Sequence, residues 1–81
     1  MLSNRELIDN IIKLLSTILA VPSDRFEIGT TINDIESWDS MKHLEIIIKL
    51  EEEFDIQISD QEAVKLISIE KIRELIYNKL N

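Results

Sequence analysis

The chain has 81 residues, no cysteine and a formal net charge of −7 at pH 7. A chain of this length predicts a single domain over residues 1–81, and the absence of cysteine excludes disulfides, zinc–thiolate sites and thiol nucleophiles. An acidic surface repels nucleic acid and anionic membranes, and no apolar run reaches the ~18 residues of a membrane span, so we expect a cytoplasmic protein that binds basic protein surfaces.

The first predicted element is an amphipathic helix from about Asn4 to Ala20. Ser3 and Glu6 fit a capping box at its start, in which each side chain binds the backbone N–H of the other residue. Pro22 marks its end, because the residue before a proline disfavours helical geometry. The apolar stripe of this helix comprises Leu7, Ile8, Ile11, Ile12, Leu15, Ile18 and Leu19.

The segment from Pro22 to Asp39 has no sustained apolar period, and it contains the only proline and the only glycine of the chain. A connection this long is unusual in a compact domain unless it packs down or serves a function. We therefore expect it to pack across the helices, with Trp38 as an anchor. Its apolar residues are Phe26, Ile28, Ile32, Ile35 and Trp38.

The second predicted helix runs from about Ser40 to Phe54 and has two apolar faces. The core face comprises Ile46, Ile47, Leu50 and Phe54. The second stripe comprises Met41, Leu44 and Ile48, bordered by Glu45, Glu51 and Glu52, with Lys42, Lys49 and Glu53 on the solvated side. This second stripe exceeds what a small core needs, so it predicts a contact surface for partners. For Leu44, core packing is an equal alternative.

A short third helix is predicted after Ser59, because Ser59 and Glu62 repeat the capping-box pattern, and Ser68 caps a last helix. In the third helix, Ala63, Leu66 and Ile67 are expected to face inward. The last helix carries the apolar residues Ile69, Ile72, Leu75, Ile76 and Leu80. The predicted fold is all-α: a small four-helix bundle with three main helices, one short third helix and a long loop between helices one and two.

Ser40 lies where the long segment ends and the second helix begins. Capping alone is the default interpretation of Asp39-Ser40, since both residue types favour helix starts. A hydroxyl at this junction also stays near solvent on a fixed backbone, which suits covalent modification. His43 lies one turn further on, but neither an oxyanion hole nor a third triad member can be identified. A serine hydrolase is therefore the weakest interpretation, and we expect His43 at the edge of the core.

Several motifs at matching spacing resemble the acyl carrier protein family. Asp39-Ser40-Met41 is similar to the family's Asp-Ser-Leu motif at the start of its second helix. The runs Leu50 to Phe54, Ile56 to Ile58 and Ser59 to Ala63 are similar to its Leu-Glu-Glu-Glu-Phe run, its Ile-x-Ile exit and its entry to the third helix. Trp38 before the motif and Lys42 after it depart from the commonest fatty-acid carriers. The Trp-Asp-Ser pattern of residues 38–40 resembles discrete carriers of specialised pathways.

The resemblance implies that Ser40 carries 4′-phosphopantetheine, transferred from coenzyme A by a phosphopantetheinyl transferase. The thiol of this arm would hold acyl or aminoacyl groups as thioesters for enzymes of fatty-acid, polyketide or related biosynthesis. The protein would then be a monomeric carrier and not an enzyme, with neither catalytic residues nor a metal site. The alternative is an unmodified acidic helical interaction module, such as an adaptor or regulatory subunit, which has no use for Ser40.

The resemblance also implies a partner surface on the second helix, which docks on basic surfaces of acyl-loading and acyl-processing enzymes. The residues of this predicted surface are Asp39, Met41, Leu44, Glu45, Ile48, Glu51 and Glu52. A pocket between the helices would hold the acyl chain, lined by Ile46, Ile47, Phe54, Ile58 and Ala63.

Overall fold

The computed structural model describes residues 3–80 and contains four α-helices over that range. The helices are α1 (Asn4–Leu19), α2 (Ser40–Phe54), α3 (Asp60–Ala63) and α4 (Ile69–Leu80), with 3₁₀ turns at Ser23–Arg25 and Ile32–Asp34. The predicted all-α fold with three main helices and a short third one is therefore confirmed. Residues 1, 2 and 81 of the predicted domain 1–81 lie outside the described residues, and the single domain stays a prediction.

Helix α1 begins and ends where its sequence signals predict. Ser3 Oγ accepts a hydrogen bond from Glu6 N, and Glu6 Oε1 accepts one from Ser3 N, both at 3.1 Å. The bond from the Ser3 backbone is the main reason why the pKa of Glu6 lies below its usual value. The helix ends as Ala20 turns into the left-handed conformation, with φ at 57°.

The core lies where α2 and α4 pack against α1. Its largest fully buried side chains come from all three helices: Ile11, Leu15, Leu19, Ile46, Leu50, Ile69, Ile72 and Ile76. Leu80, at the end of α4, is exposed.

The long segment between α1 and α2 is packed down, as predicted. Phe26, Ile35 and Trp38 are buried in the core, and Ile32 is packed against it. Ile28 is exposed, which contradicts the expectation for that residue. Its carbonyl contacts the beginning of α4, where Glu70 N donates to it at 3.0 Å.

Backbone hydrogen bonds attach this segment to the beginning of α4. They run from Ile32 N to Ile67 O at 2.8 Å, from Ile69 N to Thr30 O at 3.0 Å and from Glu70 N to Ile28 O at 3.0 Å. The first N–H groups of a helix have no acceptor within the helix, so two carbonyls of the long segment act as external caps for α4. The predicted cap adds to them, since Ser68 Oγ accepts from Lys71 N at 3.1 Å.

The predicted capping box at the start of α3 is present. Glu62 N donates to Ser59 Oγ at 3.1 Å, and Ser59 N donates to Glu62 Oε1 at 2.9 Å. The bond from the Ser59 backbone, and then the Lys79 ammonium at 3.1 Å, lower the pKa of Glu62.

Helix α3 ends after one turn, and this places its apolar residues differently from a longer helix. Leu66 is buried and Ala63 is packed against the core, as predicted, but Ile67 is exposed. The helical spacing that would have brought Ile67 inward no longer applies beyond Ala63. The prediction for Ile67 was therefore wrong.

Because α2 has a core face and an exposed face, substitution of its two leucines should change the free energy of unfolding by very different amounts. Leu50 is 0% exposed, so Leu50→Ala should lower the free energy of unfolding by about 2–5 kcal/mol. Leu44 is 61% exposed, so Leu44→Ala should change it by less than about 0.5 kcal/mol. Urea unfolding followed by circular dichroism measures both, and similar losses would contradict this assignment of the faces.

Candidate functional site

Ser40 is the first residue of α2, and it is exposed. The preceding residue, Asp39, caps the helix, because its Oδ1 accepts from Lys42 N at 2.9 Å. Capping therefore does not occupy the hydroxyl of Ser40, which makes no hydrogen bond to any residue within 3–80. The side chain of Ser40 is thus free for chemistry while its backbone is held by the helix.

Most other serine hydroxyls of the described residues are engaged. Those of Ser16 and Ser37 donate to the carbonyls of Val21 and Leu19, at 2.6 and 2.8 Å. The remaining engaged hydroxyls, which cap helices, belong to Ser3, Ser59 and Ser68. Ser23 is also free, but it lies in a three-residue 3₁₀ turn without an amphipathic helix behind it. Ser40 alone combines a free hydroxyl with the start of a long helix.

The second apolar stripe of α2 faces solvent. Met41 is 78% exposed, Leu44 61% and Ile48 47%. Core packing was an equal alternative for Leu44, and its exposure decides against that alternative. A small groove beside Ile48, with a volume of about 310 Å³, extends the stripe toward α1 and is lined by Ile18, Glu45, Ile48 and Lys49. Surplus apolar area of this kind, rimmed by charge, is typical of a contact surface for another protein.

Two of the predicted rim acids pair with lysines one turn earlier on α2. Glu45 Oε2 lies 3.5 Å from Lys42 Nζ, and Glu52 Oε1 lies 3.5 Å from Lys49 Nζ. Both carboxylates remain more than half exposed, so these surface pairs contribute little to stability. The carboxylates therefore remain available to a competing cationic partner.

Glu51 differs from the other acids of the predicted surface. Its Oε2 accepts a hydrogen bond from Ile58 N at 2.8 Å, and the residue is half-buried. This bond fixes the turn between α2 and α3. Glu51 thus has a structural role that the sequence did not reveal, whereas the capping role of Asp39 at the other end of α2 was expected.

His43 is hydrogen-bonded through both ring nitrogens. Trp38 Nε1 donates to His43 Nδ1 at 2.9 Å, the two rings are stacked with centroids 6.0 Å apart, and His43 Nε2 lies 2.8 Å from Ala63 O. An indole nitrogen can only donate and a carbonyl can only accept, so the ring is neutral, with its hydrogen on Nε2. Neither nitrogen is available as a base for Ser40, which removes the structural basis of the hydrolase interpretation.

The sequence predicted the positions of Trp38 and His43 but not the bond between them. Trp38 is buried as the expected anchor, and His43 lies half-buried at the edge of the core. The one signal in the sequence is that the only histidine follows the only tryptophan by five residues, with a helix start between them. The exposed Val64 at the end of α3, close to this site, was also missed.

The residues expected to line an acyl pocket are packed together in this structure. Ile46, Ile47 and Ile58 are buried in the core, and Phe54 and Ala63 pack against it. A carried chain would therefore have to separate side chains that are now in the core, and the acyl pocket stays a prediction.

The chain matches the family described as "Phosphopantetheine attachment site" over residues 9–76. It is 39% identical over 67 residues to an acyl carrier protein of Buchnera aphidicola subsp. Schizaphis graminum, which covers 83% of this chain and 85% of the relative. It is 33% identical over 70 residues to an acyl carrier protein of Campylobacter lari, and the match covers 86% of this chain and 91% of that relative. The solved structure of the acyl carrier protein from Enterococcus faecalis has the same fold, with a TM-score of 0.78 at 24% identity over 96% of this chain and 99% of that one.

The different roles of Asp39 and Ser40 can be separated by substitution. Asp39→Ala removes the N-cap of α2 and should lower the free energy of unfolding by about 1 kcal/mol. Ser40→Ala removes a hydroxyl without a partner and should change it by less than about 0.5 kcal/mol. Chemical denaturation of the unmodified chain measures both changes. A larger loss from Ser40→Ala than from Asp39→Ala would show that the serine, and not the aspartate, caps the helix.

Proposed function

The chain belongs to the acyl carrier protein family, and from that premise we propose that Ser40 is the residue that carries its 4′-phosphopantetheine arm. Membership makes the protein a carrier and not a catalyst, one that holds acyl groups on the arm. Three observations support Ser40 as the attachment residue: it lies within the matched region 9–76, it is exposed, and its hydroxyl is free. The unmodified interaction module is disfavoured, since it would not be expected to match an attachment-site family.

The surroundings of Ser40 fit a phosphodiester. Backbone N–H groups at the start of α2 and the helix dipole favour negative charge there, and α2 is 15 residues long. In the transfer, Ser40 Oγ would form a bond to the phosphorus that bears the pantetheine. The bond from that phosphorus to the nucleotide would break, adenosine 3′,5′-bisphosphate would leave, and the transferase would accept the hydroxyl proton. The arm supplies the thiol that holds the cargo, so a chain without cysteine suffices.

We further propose that partners dock on the exposed face of α2. Met41, Leu44 and Ile48 would provide the apolar contact, and Glu45 and Glu52 would attract basic surfaces. Rim charges of this kind act mainly on the rate of encounter. Asp39 and Glu51 would contribute less than the sequence suggested, because each carboxylate already binds a backbone N–H.

The partners we propose are a phosphopantetheinyl transferase and the loading and processing enzymes of fatty-acid biosynthesis or a related pathway. A helix long and apolar enough to span a membrane is not found within residues 3–80. We propose a cytoplasmic monomer, in keeping with the acidic composition and the bacterial carriers that it resembles.

The attachment can be tested by incubating the unmodified chain with coenzyme A, Mg²⁺ and a broad-specificity phosphopantetheinyl transferase. Intact-mass spectrometry should show the addition of one phosphopantetheine group to the parent chain and to Ser23→Ala, and none to Ser40→Ala. Ser23 is the matched control, since it is the other serine within residues 3–80 whose hydroxyl makes no hydrogen bond. Addition to Ser40→Ala would refute the assigned residue, and no addition to the parent chain would refute the arm.

The docking surface can be tested by charge reversal. Glu45→Lys/Glu52→Lys should lower kcat/KM for the transferase about tenfold at low ionic strength, and the difference should shrink in about 0.5 M salt as the charges are screened. The control, Glu70→Lys/Glu74→Lys on α4, makes the same change in net charge and also breaks one lysine pair, that of Glu74 with Lys71. Equal losses of kcat/KM in the two variants would show that net charge alone causes the effect, and they would refute docking on α2.

A further inference from the structure

We propose that His43 is a positioning residue for the carrier arm. Its neutral ring joins the indole of Trp38, two residues before Ser40, to the carbonyl of Ala63 at the end of α3. We call these two hydrogen bonds the Trp38–His43–Ala63 link. This inference rests on the proposed attachment of the arm at Ser40. It states that the link controls how easily α3 separates from α2 beside that attachment point.

The first half of the link fixes the chain that enters α2. Trp38 is 3% exposed, and its backbone N donates to Ile35 O at 3.1 Å. Its indole N–H is the only polar atom of the side chain, and an unpaired buried donor would be unfavourable. His43 supplies the acceptor from one turn beyond Ser40. The hydroxyl-bearing turn is therefore held on both sides of Ser40, by the buried indole before it and by the histidine ring after it.

The second half of the link holds the end of α3. Among the side-chain hydrogen bonds of residues 3–80, the bond from His43 is the one that connects α2 directly with α3. Two other interactions near α3 do not connect it with α2: Glu51 binds Ile58 before α3 begins, and Glu62 pairs with Lys79 of α4. A four-residue helix has little stability of its own. Its position relative to α2 therefore depends strongly on the bond from His43.

The consequence for cargo follows from the position of Ala63. This residue is both the acceptor of the His43 bond and a member of the predicted pocket lining, whose other residues are now packed in or against the core. While the link is intact, α3 stays closed on α2. When it is broken, α3 separates from α2 more easily, so a carried apolar chain enters between them more often and its thioester is better shielded from solvent.

Three variants of the unmodified chain separate the link from general stability. His43→Leu replaces the imidazole with an apolar side chain of similar size and removes both bonds. Trp38→Phe removes the indole donor together with part of the buried ring, and His43→Gln retains an N–H and a carbonyl oxygen. Amide hydrogen exchange over residues 60–66 should become about tenfold faster in His43→Leu while α1 changes little, since two hydrogen bonds of ordinary net strength are lost. The exchange rate in His43→Gln should remain within about threefold of the rate in the parent. The rate in Trp38→Phe should lie between those of His43→Gln and His43→Leu.

The tautomer offers a spectroscopic check on the same unmodified protein. In ¹⁵N spectra of the ring above neutral pH, Nδ1 should be unprotonated and Nε2 protonated, and the Trp38 indole N–H should exchange slowly. Hydrogen on Nδ1, or an exchange increase spread evenly over all helices in His43→Leu, would overturn the link.

The effect on the arm requires the loaded protein. With an octanoyl group on the arm, hydroxylamine should cleave the thioester at least about threefold more slowly in His43→Leu than in the parent, with His43→Gln close to the parent. An unchanged or faster cleavage would overturn the control of the gap by His43. Failure to load the arm at Ser40 would instead refute the proposed function, and it would leave the exchange results on the unmodified chain unaffected.

Discussion

Helix α2 packs through one face only, and the rest of the structure depends on that division. Ile46 and Leu50 are fully buried between the other helices, whereas Met41 and Leu44 on the opposite side are mostly exposed. A chain of 81 residues can bury only part of its apolar surface, so a second apolar face on its central helix has no partner within the fold. The same helix therefore stabilises the protein and leaves a surface for other proteins, and Ser40 stands at its start, where that surface begins.

The long segment before α2 provides the fixed end from which this helix starts. Its carbonyls at positions 28 and 30 accept from the first N–H groups of α4, and Ser37 Oγ donates to the carbonyl of Leu19 at the end of α1. The segment thus caps one helix and closes the end of another while its buried side chains fill the core. A flexible connection of the same length could not hold Trp38 in place, and without Trp38 the turn that bears Ser40 would lose its anchor.

Features that depend on neighbouring residues were predictable from the sequence, and features that depend on distant contacts were not. The capping residues Ser3, Asp39 and Ser59 act over three positions, and helical spacing reveals a buried stripe, so the helices and most of the core were predicted well. Ile67 and Ile28 were misplaced because their burial depends on where α3 stops and on how the long segment meets α4. The bonds of His43 to Ala63 and of Glu51 to Ile58 also join separate parts of the chain, for which a single sequence contains no spacing signal.

The charges of α2 indicate how its exposed face selects partners. Two lysines, Lys42 and Lys49, lie within 3.5 Å of Glu45 and Glu52, so each of these carboxylates faces a basic partner with its charge partly compensated. A basic residue of a partner must compete with the neighbouring lysine, and the electrostatic gain is smaller than it would be against unpaired acids. The apolar stripe then accounts for a larger share of the binding free energy, because burial of Met41, Leu44 and Ile48 does not depend on charge. Partners of this carrier should consequently be distinguished by the shape of their apolar pocket more than by the number of their basic residues.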